Sequence, residues 1–193
     1  MEEDTSIFHT LDIPMNEKAL TVFNKALNYA LGKHSKLLVV REDVSFPKEM
    51  PNEMAQELIK PYNRKLREKW KNDGYDPVYI VAREINSEGR VHYHEAWFLN
   101  GHKTWKTYER FKESEQVLQR VIGLDYDAKG LIDHCDNGHR NGIMVKRDDP
   151  DSTDLHEAQR QISYLAKIKQ KKGVKGKTFF SSMINNNDKN HCF

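Results

Sequence analysis

The sequence predicts an α+β fold, in which helices pack on a central antiparallel sheet. Helical and extended segments mix without the strict alternation of a parallel sheet, and the one clear pair of neighbouring strands forms a hairpin. A length of 193 residues suffices for one domain with a substantial core. We expect that domain over residues 1–182, followed by a flexible polar tail over residues 183–193.

Hydrophobic spacing predicts the elements in order. Apolar residues recur every three or four positions between residues 16 and 31, which predicts a helix. A short apolar run near residue 38 predicts a buried strand over residues 36–45. The same reasoning predicts, in chain order, a helix over 52–72, strands over 78–85 and 90–99, a helix over 104–122, short strands over 131–133 and 142–146, and a helix over 154–170.

Composition narrows the class of protein. The net charge of +2 does not by itself identify a partner. No apolar run is long enough to span a membrane, and the acidic N-terminus lacks the apolar region of a signal peptide. The two cysteines, Cys135 and Cys192, fit a reducing compartment rather than a disulfide framework. We therefore expect a cytoplasmic protein without a membrane partner.

A pair of histidines, His92 and His94, lies on the second strand of the predicted hairpin. Side chains two residues apart on a strand point to the same face. The three-residue loop that ends at Gly89 favours a type I turn followed by a left-handed residue, and this register pairs Glu84 with His92. The carboxylate and the two imidazoles then converge. A two-residue loop would instead place Glu84 opposite Tyr93 and separate them.

These three side chains predict a site for a divalent cation with open coordination positions. Mixed nitrogen and oxygen ligands suit several cations, and a nuclease-type site favours Mn²⁺ or Mg²⁺. The alternative is that they are polar residues on a solvated strand face. A second cluster, His134, Cys135 and His139, mimics ligand spacing, but it lies in a turn-rich segment and is the weaker candidate.

A candidate nucleophile, Tyr164, lies on the last predicted helix. Gln161 and Lys167 are three residues away from it and Arg160 is four, so all three share its face of the helix. A phenol that attacks a phosphate needs a base or a positive charge nearby, which Lys167 offers. The alternative is an amphipathic tyrosine that only packs at the edge of the apolar stripe.

Positive charge is concentrated directly after this tyrosine, because residues 167–177 carry six lysines and no acid. We expect five of them to contact DNA phosphates, the alternative being a solvated basic loop: Lys169, Lys171, Lys172, Lys175 and Lys177. The segment 173–178 resembles a phosphate-binding loop, but two residues rather than four separate its glycines. We therefore expect no ATP binding.

Together these motifs resemble the HUH endonuclease superfamily of rolling-circle replication initiators, relaxases and single-strand transposases. Glu84 with residues 92–94 resembles its metal site, and residues 164–167 resemble its Y-x-x-K motif. More narrowly, the chain is similar over about residues 14–182 to the inovirus replication-protein family that includes the YagK/YfjJ C-terminal domain. The matching segments are 40–47, 91–94, 99–101, 130–132, 136–138 and 162–167.

The resemblance implies about five antiparallel strands, with the metal site on the central ones and the tyrosine on a helix across them. It implies a metal-dependent enzyme of a bacterial host's cytoplasm that nicks single-stranded or hairpin DNA at a replication origin. The expected products are a 5′-phosphotyrosyl enzyme and a free 3′-OH, and the step can reverse to rejoin strands. A host helicase and polymerase are the expected partners.

Two further residues, Arg41 and Asp43, match a strand motif of that family. Asp43 is a candidate for an alternative acidic ligand, and either residue could instead be structural. Two other functions stay open: a single-tyrosine transposase or relaxase with the same chemistry, and a non-catalytic DNA-binding regulator on the same fold.

Overall fold

The computed structural model describes residues 13–135, 140–168 and 178–183. The helices in this part of the chain are α1 (Glu17–Lys33), α2 (Asn52–Asn72), α3 (Thr107–Ile122) and α4 (Thr153–Tyr164). The strands are β1 (Lys36–Val44), β2 (Val78–Ile85), β3 (Val91–Asn100), β4 (Ile132–Asp133), β5 (Ile143–Lys146) and β6 (Phe179–Ser181). The predicted α+β class is confirmed.

All strands belong to one antiparallel sheet with the order β4-β1-β3-β2-β6. The central strand β3 pairs with β1 on one side and with β2 on the other. Within the described residues the sheet has six strands, close to the expected number, and two short strands share the outer edge of β1. There β5 pairs with residues 36–39, and β4 pairs with residues 43–44.

Helices cover both faces of the sheet. Alternate residues of β3 point to opposite faces, so the strand contributes to two apolar cores. On one face, Ala96 and Phe98 belong to the core that includes the buried residues of α1 and α4. On the other face, Tyr93 and Trp97 belong to the core that includes the buried residues of α2 and α3. The central strands are therefore the middle of three layers.

The hairpin between β2 and β3 has the predicted register. The N–H of Asn86 donates to the carbonyl of Arg90 at 2.9 Å, and Gly89 has a φ of 74°. Residues 84 and 92 are directly paired, as are residues 82 and 94. The left-handed residue at the end of the loop thus sets the register on which the candidate metal site depends.

The prediction of a helix over residues 154–170 is wrong at its C-terminal end. The helix stops at Tyr164, and the next N–H groups donate to carbonyls three residues back, as Ala166 does to Ser163 at 2.8 Å. The N–H of Asn16 then donates to the Ala166 carbonyl, and Met15 forms a β-bridge with Lys167. Pairing with the segment before α1 therefore replaces the predicted helix at residues 165–168, and residues 169–170 lie outside the described part of the chain.

The predicted start of the third helix at residue 104 is also wrong, since α3 begins at Thr107. The backbone N–H groups of Lys103 and Thr104 both donate to the carbonyl of Asn100, in a turn that follows β3. Thr104 belongs to that turn, and Lys106 still has extended backbone angles, so the helix cannot begin before Thr107. Among the described residues, no helix is long and apolar enough to cross a membrane.

Candidate metal centre beside Tyr164

Glu84, His92 and His94 converge on the sheet face that α1 and α4 cover. One ligand atom from each side chain lies within 4.8 Å of the other two. The Nε2 atoms of the two histidines are 3.1 Å apart, and Oε2 of Glu84 lies 3.1 Å from Nε2 of His94. Glu84 and His94 are buried, whereas His92 is partly exposed. The three residues that the sequence grouped therefore form one compact cluster that opens on the side of His92.

Asp43 completes the cluster from the neighbouring strand β1. It is paired with His94 in the β1–β3 ladder, and its Oδ1 lies 2.5 Å from Nδ1 of His94. Asp43 therefore holds the ring nitrogen that points away from Glu84. A carboxylate in this position fixes the orientation and tautomer of a ligating histidine, so the contact favours a positioning role for Asp43 over the role of an alternative ligand.

Burial and neighbouring charges shift the pKa values of His94, Asp43 and His92. Burial alone would lower the pKa of His94, but its hydrogen bonds to Asp43 and Glu84 outweigh burial and raise it. Burial alone would raise the pKa of Asp43, but the hydrogen bond and charge of His94, together with the charge of Arg41, lower it. Burial and the neighbouring His94 lower the pKa of His92, which favours its neutral, ligating form.

Tyr164 lies beside this cluster at the last residue of α4. Nζ of Lys167 donates to Oη of Tyr164 at 2.9 Å and lies 3.3 Å from Oε2 of Glu84. The centroid of the Tyr164 ring is 6.4 Å from that of His94. One lysine therefore contacts both the candidate nucleophile and a candidate metal ligand.

Arg41 holds the ring of Tyr164 from the β1 side. Its guanidinium carbon lies 4.9 Å from the ring centroid, in a cation–π contact. The Asn141 side chain accepts from the N–H of Arg41 at 3.0 Å and donates to its carbonyl at 2.5 Å. Sequence reasoning missed this asparagine, because no local pattern predicts hydrogen bonds between a side chain and a backbone a hundred positions away.

A model of the YagK/YfjJ C-terminal domain family matches residues 2–182, which include the whole cluster. The chain belongs to the YagK/YfjJ C-terminal domain family. No curated protein and no solved structure matches it significantly.

In this YagK/YfjJ C-terminal domain, Gln161 and Arg160 contact Glu157. The Gln161 amide donates to Glu157 at 2.8 Å and to the carbonyl of Arg140 at 2.9 Å. Two nitrogens of Arg160 donate to Glu157, both at 2.7 Å. These contacts run along α4 rather than into the metal cluster, and a supporting role for the two residues at Tyr164 stays a prediction.

Several predicted features of this YagK/YfjJ C-terminal domain lie outside the described residues. They are Lys169, Lys171, Lys172, Lys175, Lys177, His139, most of the segment 173–178 and the tail beyond Met183. His134 is described, and its ring stacks on that of Phe111 at 3.9 Å. That contact gives His134 a packing role.

A pair of acids, Glu42 and Glu95, lies on the opposite face of the same strands. The two are directly paired in the β1–β3 ladder and are completely buried. Burial raises the pKa of Glu42 to about 7, although Ser114 and Tyr62 donate hydrogen bonds that oppose the shift. Sequence reasoning missed this pair, yet strand alternation puts Glu95 on the same face as Tyr93 and Trp97, which is the signal that could have found it.

Proposed function

We propose that this YagK/YfjJ C-terminal domain is a metal-dependent, site-specific endonuclease that nicks single-stranded DNA at a replication origin and rejoins strands. The proposal rests on Lys167, which contacts both Tyr164 and Glu84 and so joins the nucleophile to the metal ligands. The arrangement supports membership of the HUH endonuclease superfamily, whose metal and tyrosine motifs the chain resembles.

The ligand cluster fits a divalent cation, for which Mn²⁺ and Mg²⁺ are the proposed identities. With both ring nitrogens protonated, His94 bridges Asp43 and Glu84. His94, His92 and Glu84 would hold the cation, with Nε2 of His94 losing its proton to become a ligand while Nδ1 stays on Asp43. A cation bound there would supply positive charge against the scissile phosphate in the transition state.

The side chains around Tyr164 suit a phosphoryl transfer to its oxygen. Oη of Tyr164 releases its proton to water and forms a bond to phosphorus, while the bond between phosphorus and the 3′ oxygen breaks. The leaving 3′ oxygen takes up a proton from water, which gives a 5′-phosphotyrosyl enzyme and a free 3′-OH. Lys167 stabilises negative charge at Oη, and Arg41 fixes the ring. Since a phosphodiester is retained, the reverse step rejoins the strand.

Covalent capture of DNA tests the proposal. Wild-type protein, Mn²⁺ and 5′- or 3′-labelled single strands from its own genetic element are incubated and then separated on a denaturing gel. We expect a protein–DNA adduct that carries the label on the 3′ side of the nick, together with a released strand that ends in a 3′-OH. Absence of any adduct across the element's origin sequences would refute the enzyme and favour a non-catalytic DNA-binding regulator.

Matched variants identify the nucleophile. Tyr164→Phe should form no adduct, whereas Tyr29→Phe, which alters an exposed tyrosine on α1, should react like wild type. An adduct with Tyr164→Phe would mean that another residue is the nucleophile.

The substitution His92→Ala tests the candidate metal ligand. It should abolish cleavage and preserve DNA binding, and equal loss of both would indicate a structural role. Adducts with origin strands rather than with transposon ends or transfer origins would separate replication from transposition and mobilisation.

A further inference from the structure

Two aromatic rings stand in solvent at the start of α3, close to one another in sequence. Trp105 is 68% exposed and Tyr108 is 62% exposed. The other two tryptophans of the chain, Trp70 and Trp97, are completely buried. Large rings left in water cost hydrophobic free energy, and two exposed rings three positions apart therefore point to a partner that covers them.

The charge around these rings is predominantly positive. Arg110 is buried and ion-paired with Glu113, so the exposed charges of residues 102–112 are three lysines against one glutamate, Glu109. That glutamate forms an ion pair with Lys106 at 2.9 Å. Nζ of Lys112 lies 4.4 Å from the centroid of the Tyr108 ring, which places a cation directly over an exposed π-face. Rings interleaved with lysines suit a ligand with flat rings and a negatively charged backbone.

A row of contacts connects this surface to the candidate nucleophile. The Tyr108 ring lies 6.5 Å from the ring of His134, whose carbonyl accepts a hydrogen bond from the Asn141 side chain. Asn141 in turn bonds both backbone groups of Arg41, and Arg41 lies over the Tyr164 ring. Tyr108 therefore lies at the outer end of a continuous row that ends at the site, and Trp105 lies three residues before Tyr108 in the chain.

We infer that Trp105 and Tyr108 form a base-stacking platform, which holds single-stranded DNA on the approach to Tyr164. The inference rests on the proposed function, because it names a second contact of the same strand. Stacking on aromatic rings tolerates any base, so the platform supplies affinity and direction rather than recognition of the nick sequence. Lys112 neutralises phosphate next to the stacked bases.

Intrinsic fluorescence tests the platform in the presence of a chelator, so that no cleavage occurs. Trp105 is the exposed tryptophan, and titration with single-stranded DNA should quench its emission and protect it from acrylamide. A strand of the same length made of abasic sites keeps the phosphates and should do neither. Equal quenching by the abasic strand would overturn the platform, because phosphate contacts alone would then explain binding.

Paired variants locate the effect. Trp105→Ala and Tyr108→Ala should each weaken binding of the normal strand about five- to hundred-fold, as expected for loss of one stacked base. Tyr29→Ala is the matched control, because Tyr29 is 48% exposed and has Nζ of Lys33 at 5.6 Å from its ring. Unchanged affinity in both platform variants, or an equal loss in the control, would overturn the inference.

Failure of the platform and failure of the proposed function give different results. Stacking signals without any covalent adduct would leave the platform standing and refute the nuclease. Adduct formation at wild-type rate and apparent KM by Trp105→Ala and Tyr108→Ala would refute only the platform. Concentration-dependent self-association that disappears in these variants, with unchanged DNA affinity, would assign the surface to a second copy of the chain and also refute it.

Discussion

Asp43 acts on the candidate metal site through His94, and the substitution Asp43→Asn isolates that role. The amide retains the size of the side chain but cannot hold Nδ1 of His94 as a charged acceptor does. We expect Mn²⁺ affinity to fall by about 10- to 100-fold, with a parallel loss of adduct formation that excess metal partly restores. Calorimetric titration with Mn²⁺ measures the affinity.

Asp133→Asn is the matched control for this substitution. Asp133 is the β4 residue paired with Asp43 in the ladder, and it is exposed. The Asp133→Asn variant should therefore bind Mn²⁺ with the affinity of wild type. Wild-type affinity in Asp43→Asn would show that the contact with Nδ1 is incidental.

Lys167 contacts both Glu84 and Tyr164, so its replacement should change metal affinity and the rate of adduct formation in opposite directions. Its ammonium lies 3.3 Å from Glu84 and would repel an incoming cation. Lys167→Gln should therefore bind Mn²⁺ more tightly than wild type and yet form the adduct at least about tenfold more slowly, because Oη loses its charged donor. Weaker metal binding in this variant would contradict the arrangement.

The candidate ligands could be predicted from sequence because their relationship is local. Glu84, His92 and His94 belong to one hairpin, and loop length fixes which residues face each other. Asp43 and Arg41 reach the site through the pairing of β1 with β3, which joins residues about fifty positions apart. No periodicity within either segment specifies that pairing, so the contact of Asp43 with Nδ1 could not be derived.

At the scale of elements, the β2–β3 hairpin depends on the left-handed conformation of Gly89. A Cβ at this position meets nothing within 4 Å, so Gly89→Ala tests backbone strain alone. We expect a loss of about 1 kcal/mol in the free energy of unfolding in urea. Gly32→Ala, in α1 with equally open space and no positive φ, should be stabilising by up to about 1 kcal/mol. A loss of similar size in both variants would argue against a turn-specific effect.

The end of α4 marks the limit of prediction from helical periodicity. Apolar spacing continues past Tyr164 at Leu165, which is buried, so the pattern does not distinguish a helix from a turn that buries the same residue. The bridge between Met15 and Lys167 decides the outcome, and it depends on a segment far away in sequence. Even so, the turn keeps Nζ of Lys167 at 2.9 Å from Oη of Tyr164, so the two side chains are neighbours, as their three-residue spacing on a helix predicted.

At the scale of the whole molecule, the buried acid Glu42 should make stability depend on pH. Its pKa rises from 4.5 to about 7 on folding, so the native state keeps a proton that the unfolded chain releases. Stability contributed by that proton is fully present below pH 4.5 and is lost as the pH rises towards 7. Burial also raises the pKa of its partner Glu95, so Glu42→Gln should reduce this slope without abolishing it and should raise the free energy of unfolding at neutral pH.

Urea unfolding of wild type and Glu42→Gln at a series of pH values measures the effect. The amide can still accept hydrogen bonds from Tyr62 or Ser114, which keeps the packing between sheet and helices. Glu49→Gln, at an exposed position in the segment before α2, is the control and should leave the profile unchanged. A wild-type profile that is flat between pH 4.5 and 7 would mean that Glu42 is ionised in the folded protein.

The position of Lys167 also bears on how the candidate site would take up a cation. When no cation is bound, the ammonium acts as an internal counterion for Glu84, so the pocket is electrically compensated before any metal arrives. Folding therefore does not have to wait for the metal, in contrast to small zinc domains that collapse only around their ion. Chelation should consequently leave a folded apoprotein, so metal supply could switch the proposed activity without unfolding the protein.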